Sequence, residues 1–166
     1  MKDDTKNQLT RILGAYDEKL AEAERIDAAN RAAHAAFPAR FATLKAETIR
    51  PALQDFADVL NGSGHEVAVR EQEESSSRVG GVTLATISLR ITPKPFASKS
   101  TAETNRNFIE ITFSANRSER KITVSSTSTM ISSGASLGKR GEYAMEAVTA
   151  DVVAGHVLQT LQEALK

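Results

Sequence analysis

The chain has no cysteine and no tryptophan, and only 5% of its 166 residues are aromatic. Without cysteine it has no disulfide bonds, thiolate metal ligands or thiol nucleophiles. No stretch reaches the roughly 18 apolar residues of a membrane-spanning helix, so we expect no membrane association. The opening residues, MKDDTKNQ, are polar and lead into no apolar segment of the kind found in secretory signals. We therefore expect a cytoplasmic protein.

Neither sign of charge dominates, because 21 Lys and Arg face 21 Asp and Glu and the formal net charge is zero. Hydrophobic residues make up 40% of the chain and charged residues 25%, which is typical of globular proteins. A chain of this length buries enough surface for one hydrophobic core. We therefore predict a single domain over residues 1–166, with a helical part at 1–61, a sheet part at 65–148 and a C-terminal helix at 149–166.

Residues 5–36 show the strongest helical periodicity, because apolar side chains recur there at steps of three and four. The members of this stripe are Leu9, Ile12, Leu13, Tyr16, Leu20, Ala23, Ile26, Ala33 and Phe37. Pro38 lacks an amide hydrogen and is expected to end or kink the helix. A second helix is predicted for residues 38–61, with a kink near Thr48–Arg50 caused by Pro51. The glycines of Asn61–Gly64 are expected to stop it.

Alternating apolar and polar residues predict β-strands in the middle of the chain. The predicted strands are residues 65–70, 82–92, 108–115 and 121–130. Residues 142–148 fit a fifth strand or the start of the last helix, and residues 116–120 have the length of a hairpin loop. Residues 71–81 and 93–106 are expected to be loops.

The last predicted helix covers residues 151–165, with Thr149 as its cap. Helices at both ends and strands between them indicate an α+β fold. We predict two N-terminal helices, a mostly antiparallel meander sheet of four or five strands, and a C-terminal helix packed on one sheet face.

The segment SSGASLGKRG, residues 132–141, is the nearest approach to a phosphate-binding loop. Gly138 and Lys139 fit that motif, but Ser133 replaces its first glycine and Arg140 its hydroxyl residue. We expect an exposed, flexible loop in which replacing Lys139 and Arg140 by Glu leaves stability nearly unchanged. Anion binding by Gly138, Lys139 and Arg140 is the alternative.

Residue types that support catalysis are sparse and scattered. The histidines show no metal-binding spacing, and no aspartate occurs between Asp58 and Asp151. We therefore expect no catalytic residue, no metal and no cofactor. His156 is expected to be a packing residue; if it acted as a base, Glu146 or Asp151 would be its nearest orienting group. The three histidines are His34, His65 and His156.

Residues 87–141 carry nine Lys and Arg against three Asp and Glu. Cations in loops bind phosphates, so binding of nucleic acid or another polyanion is one alternative function. Few aromatics are available for base stacking, which does not favour it. A small-ligand-binding protein or enzyme, with a pocket between helices and sheet, is another alternative.

The first helix gives the leading functional hypothesis. Its 32 residues would reach about 48 Å, whereas a six-residue strand spans about 20 Å. The helix therefore either folds back on residues 38–61 as a hairpin or buries its apolar stripe on another chain. We favour a homodimer or a protein-partner complex, and hence a non-catalytic interaction module of adaptor or chaperone type. The predicted partner-binding residues are Leu9, Ile12, Leu13, Tyr16 and Leu20.

Overall fold

A computed structural model of the chain describes residues 3–130 and 136–166 and has an α+β architecture. The chain divides into two compact units, residues 1–37 and residues 38–166. The first unit is helical throughout its described part. The second contains the sheet and the helices that cover it.

The first helix, α1, runs from Asp3 to Leu44 and has Pro38 inside it. The prediction that Pro38 ends the helix is therefore wrong, and so is the prediction that a second helix starts at residue 38. A proline inside a helix costs about 3 kcal/mol because it removes a backbone hydrogen bond. Nearby burial offsets this cost, since Phe41 and Ile49 are almost fully removed from water.

A single π-helical turn, Lys45–Ile49, follows α1 and leads into α2, Arg50–Gly62. The amide of Arg50 donates to the carbonyl of Lys45, five residues earlier. This irregularity lies where the sequence predicted a kink, next to Pro51. Gly64, at φ +91°, then stops α2 as predicted: its amide bonds the Asn61 carbonyl at 3.0 Å.

Five antiparallel strands form the main sheet, each hydrogen-bonded to the next in chain order except for one small insertion. The strands are β1 (Glu66–Gln72), β4 (Thr86–Thr92), β5 (Ile109–Asn116), β6 (Lys121–Ser128) and β7 (Ser136–Ala144). The insertion is a separate two-stranded ribbon of β2 (Ser75–Ser77) and β3 (Gly81–Thr83). The predicted meander is confirmed, as is the β5–β6 hairpin.

Several predicted boundaries are wrong. The predicted strand at 82–92 is split between β3 and β4, and the predicted loop at 71–81 contains the end of β1, all of β2 and the start of β3. The fifth strand is β7 rather than 142–148, and a 3₁₀ turn, Met145–Ala147, follows it. The predicted loop at 93–106 contains a 3₁₀ turn, Lys94–Phe96, and a short helix, α3 (Thr101–Arg106), capped by the Ser100 side chain.

The last helix, α4 (Ala150–Ala164), is capped as predicted, because the Thr149 hydroxyl accepts from the Val152 amide. Helices α2 and α4 contact each other; α2 packs on β1 and β4, and α4 on β5 and β6. The core lies between this helical layer and the sheet. The largest side chains from β4, β5 and β6 that are fully buried there are Ile87, Leu89, Ile91, Ile109, Ile111, Phe113, Ile122 and Val124.

Candidate functional site

The apolar stripe of α1 is the largest set of exposed hydrophobic side chains in the described chain. Every residue from Asp3 to Ala32 is exposed. At 3.6 residues per turn, the spacing of three and four places the stripe along one side of the helix. The exposed fractions are 45% for Leu9, 65% for Ile12, 52% for Leu13, 58% for Tyr16, 45% for Leu20 and 52% for Ile26. All five predicted partner-binding residues belong to this set.

The predicted anion-binding residues do not form a loop. Gly138, Lys139 and Arg140 lie within β7, while the serines at the start of the predicted motif fall outside the described residues. Lys139 is 3.2 Å from the carboxylate of Glu142, and Arg140 is 2.5 Å from that of Glu163 on α4. The two cations thus point to different carboxylates rather than converging on one ligand position. Within the described residues 136–141 the expectation of a loop is wrong, because these residues form a strand, although Lys139 is exposed.

A β-bulge determines where the Arg140 side chain goes. Ser125 on β6 pairs with Lys139 and the preceding Val124 pairs with Gly141, which leaves Arg140 as an extra residue without a partner across the ladder. A bulge of this kind redirects the side chain of the extra residue. Arg140 Nε donates to the hydroxyl of Ser126 at 2.6 Å, on the face of the sheet that α4 covers.

The half-buried Tyr143 and the buried His156 form a polar pair beside Arg140. The Tyr143 hydroxyl lies 2.7 Å from His156 Nε2, and the rings meet edge to face. Gly141 makes room for this ring, because a Cβ there would lie 2.7 Å from a Tyr143 ring carbon. Burial, followed by the positive charge of Arg140, lowers the pKa of His156 below its usual value. The imidazole is therefore neutral at pH 7.

His156 lacks the partners of a general base. Glu146 forms an ion pair with Arg40, and Asp151 is exposed at the start of α4, so neither predicted orienting group contacts the imidazole. His156 Nδ1 and Thr160 Oγ1, one turn later on α4, are buried without a hydrogen-bond partner in the described structure. His156 and Thr160 are both buried, so this cluster lies in the packing between α4 and the sheet.

Carboxylates neutralise much of the basic segment at residues 87–141. Arg90 lies 3.7 Å above the centre of the Phe108 ring and 3.9 Å from Glu110, so this aromatic face is covered. Lys121 lies 3.7 Å from Glu142, in addition to the pairs of Lys139 and Arg140 described above. A polyanion would have to displace these carboxylates. The geometry therefore offers the polyanion hypothesis little support.

A groove of about 590 Å³ runs between α2 and the start of α4, and we call it the α2–α4 groove. It is bounded by the π-helical turn on one side. Apolar side chains form its floor and exposed carboxylates its rim. The floor includes Ala52, Phe56, Val148 and Ala154, and the rim includes Glu47, Asp55 and Asp151.

No family model, curated protein or solved structure matches the chain. Across residues 3–130 and 136–166 there is no cluster of three side chains suited to hold a metal ion. Among the helices in this same part of the chain, none is both long and apolar enough to cross a membrane. The chain's function is therefore inferred from its own surfaces.

Sequence reasoning missed the Tyr143–His156 pair and the α2–α4 groove. The groove depends on which side chains two distant helices bring together, and no local pattern reports that. The polar pair had one weak signal: Gly141 lies two residues before Tyr143 on β7, so the two residues share a face of the strand, and the glycine leaves space for the ring.

Proposed function

We propose that the protein is a non-catalytic interaction module that self-associates through the apolar face of residues 3–37. The observation that supports this proposal is the continuous exposure of Leu9, Ile12, Leu13, Tyr16 and Leu20 on one side of α1. Large contiguous apolar patches are rare on monomers and mark interaction surfaces.

The energetics of a lone helix favour association. Helices gain most of their stability from packing of an apolar face, not from intrinsic propensity. Each Leu or Ile buried completely contributes about 1.5–3 kcal/mol relative to exposure. The stripe residues are only about half exposed, so each gains about half of that free energy when it is buried. Burial of four or five such residues on a second helix still supplies enough free energy for association at micromolar concentration.

The sequence of α1 also suits pairing with a copy of itself. Leu9, Ile12 and Tyr16 begin a heptad frame in which apolar residues recur at positions a and d. Lys19 at a d position and Asn30 at an a position interrupt this seam. A buried asparagine lowers stability but selects one register, so the pair is specific rather than a generic hydrophobic contact.

Sedimentation equilibrium on the full chain at 5–50 μM tests the proposal. We expect a mass near twice that of one chain. The variant Leu9→Asp/Leu13→Asp places two charges in the seam and should be monomeric over the same range. Its helical circular dichroism should also fall, because packing no longer supports residues 3–37.

The matched control is Asn7→Asp/Gly14→Asp, which adds the same charge elsewhere on α1. Asn7 and Gly14 lie about 160° and 140° around the helix from Leu9, away from the stripe. This variant should keep the mass of the unmodified chain. A monomeric unmodified chain at 50 μM would contradict self-association through this face. So would a fall of the measured mass to that of a monomer in both variants.

A further inference from the structure

We propose that the α2–α4 groove is a docking site for a basic amphipathic helix from another protein. The groove lies within residues 38–166 and is separate from the stripe on α1. This inference is therefore independent of the self-association proposed above.

The groove has the apolar floor that a helix would need. Phe56 and Ala154 remain partly exposed at its base, although α2 and α4 are already packed on the sheet. Further apolar side chains continue along both helices, since Val59 is 69% exposed and Leu158 is 51% exposed. Val59 is three residues beyond Phe56, and Leu158 is four residues beyond Ala154. Each therefore lies on the same side of its helix as the groove residue that precedes it. Such paired stripes receive the i, i+3, i+4 anchors of an amphipathic helix.

The charge of the groove selects the occupant. No Lys, Arg or His lines it, and its three rim carboxylates, Glu47, Asp55 and Asp151, take part in no ion pair among the described residues. A partner with Lys or Arg on either side of an apolar stripe would complement this arrangement. Electrostatic complementarity of this kind sets specificity and speeds association.

The same charges argue against the other occupants. Residues 3–37 contain seven Asp and Glu against five Lys and Arg, so the first helix of a second copy is also acidic. Nucleic acids and anionic membranes would be repelled by the rim. A basic helical segment of a different protein is the occupant that both the floor and the rim fit.

The probe for this site is a 14-residue, fluorescein-labelled peptide of leucine and lysine with the leucines at helical spacing. We expect its fluorescence anisotropy to rise on titration with the full chain, and the affinity to fall with added salt. Asp55→Asn/Asp151→Asn should weaken binding about five-fold, since exposed charge pairs contribute modestly. Leu158→Ser should weaken binding to a similar extent without altering salt dependence. The control Glu18→Gln/Glu22→Gln, which removes two charges from α1, should bind as the unmodified chain does.

Two further peptides make the test decisive. A scrambled leucine–lysine peptide has the same charge without the stripe, and a leucine–glutamate peptide has the stripe with the opposite charge; both should bind at least ten-fold more weakly. Equal binding of either one, or an unchanged affinity in Asp55→Asn/Asp151→Asn, would overturn the proposal. So would a loss of self-association in Leu158→Ser, because the face would then be an interface between copies of this chain.

Discussion

At the scale of single residues, the polar side chains between α4 and the sheet are the least expected feature. Ser126 is 4% exposed, and its hydroxyl accepts the hydrogen bond from Arg140 Nε. A buried polar group without such a partner is costly, whereas one with a charged partner is well satisfied. Arg140 therefore connects β6, β7 and α4 through one guanidinium.

The first residue-scale prediction compares two adjacent cations. Arg140→Ala leaves the Ser126 hydroxyl buried without a partner, so we expect the free energy of unfolding to fall by about 1–3 kcal/mol. Lys139→Ala removes an exposed side chain and should change it by less than about 0.5 kcal/mol. Urea denaturation of both variants measures the difference. Equal stability of the two would mean that the bulge does not position Arg140 as described.

The second residue-scale prediction concerns pH. Because burial lowers the pKa of His156 in the folded state, the unfolded chain takes up a proton first as pH falls. Stability should therefore be highest above the unfolded pKa, about 6.5, and should decrease as pH falls through that value towards the folded pKa. Urea denaturation from pH 8 to pH 5 measures this slope. The variant His156→Gln should show a flatter profile, and an identical slope in both proteins would contradict the assignment to His156.

At the scale of elements, the π-helical turn resolves a mismatch of periods. Buried positions between α1 and α2 recur every four residues, at Phe41, Lys45, Ile49, Leu53 and Ala57. In a regular α-helix, each step of four rotates a side chain by about 40° beyond one turn. A wider π turn between Lys45 and Ile49 compensates part of this drift and keeps the later residues facing the sheet.

The π-helical turn also contains a buried lysine. The Lys45 side chain is 5% exposed, and its ammonium lies 3.2 Å from Glu73 and 3.9 Å from Glu71. Glu71 in turn lies 2.5 Å from Arg50 on α2. A buried ammonium requires such partners, because an unpaired charge removed from water is strongly unfavourable. The pairs connect the helical layer to the end of β1 and the residues after it.

The element-scale prediction tests α1 through Gly14. A Cβ at this position would meet no atom within 4 Å, so Gly14→Ala is sterically free. Alanine favours a helix over glycine by about 1 kcal/mol. If residues 3–37 become fully helical only on pairing, the variant should have higher helicity when dilute and a dimer dissociation constant lowered by about five-fold or more. Sedimentation and circular dichroism measure both, and an unchanged dissociation constant would indicate that α1 is already rigid before it associates.

At the scale of the whole molecule, zero net charge conceals an uneven distribution. Helices α2 and α4 together carry four carboxylates and one basic residue, Arg50. The basic excess of residues 87–141 lies instead on the sheet and its loops, where Arg90, Lys121 and Lys139 face carboxylates. Charge thus distinguishes an acidic helical surface from a sheet whose cations largely face carboxylates, which is why we propose a basic partner for the helical surface.

Local patterns predicted the secondary structure best where a segment is both periodic and half buried. Ile109, Ile111 and Phe113 alternate with polar residues, and all three are fully buried on one face of β5. Prediction failed at Pro38 and in β7. Helical propensity alone cannot show that later packing offsets the missing hydrogen bond of Pro38, and the glycines of residues 138–141 weaken any strand signal although β6 pairs with them.

The sequence by itself determined the class of fold, the core-facing sides of β4, β5 and β6, the cap at Thr149 and the stripe on α1. These depend on interactions between residues a few positions apart, so a short window contains the information. Only the tertiary structure decided that Arg140 faces α4, that Tyr143 pairs with His156, and that α2 and α4 enclose an acidic groove. Each of these joins elements distant in the chain, and side chains that meet across such distances leave no periodic trace in the sequence.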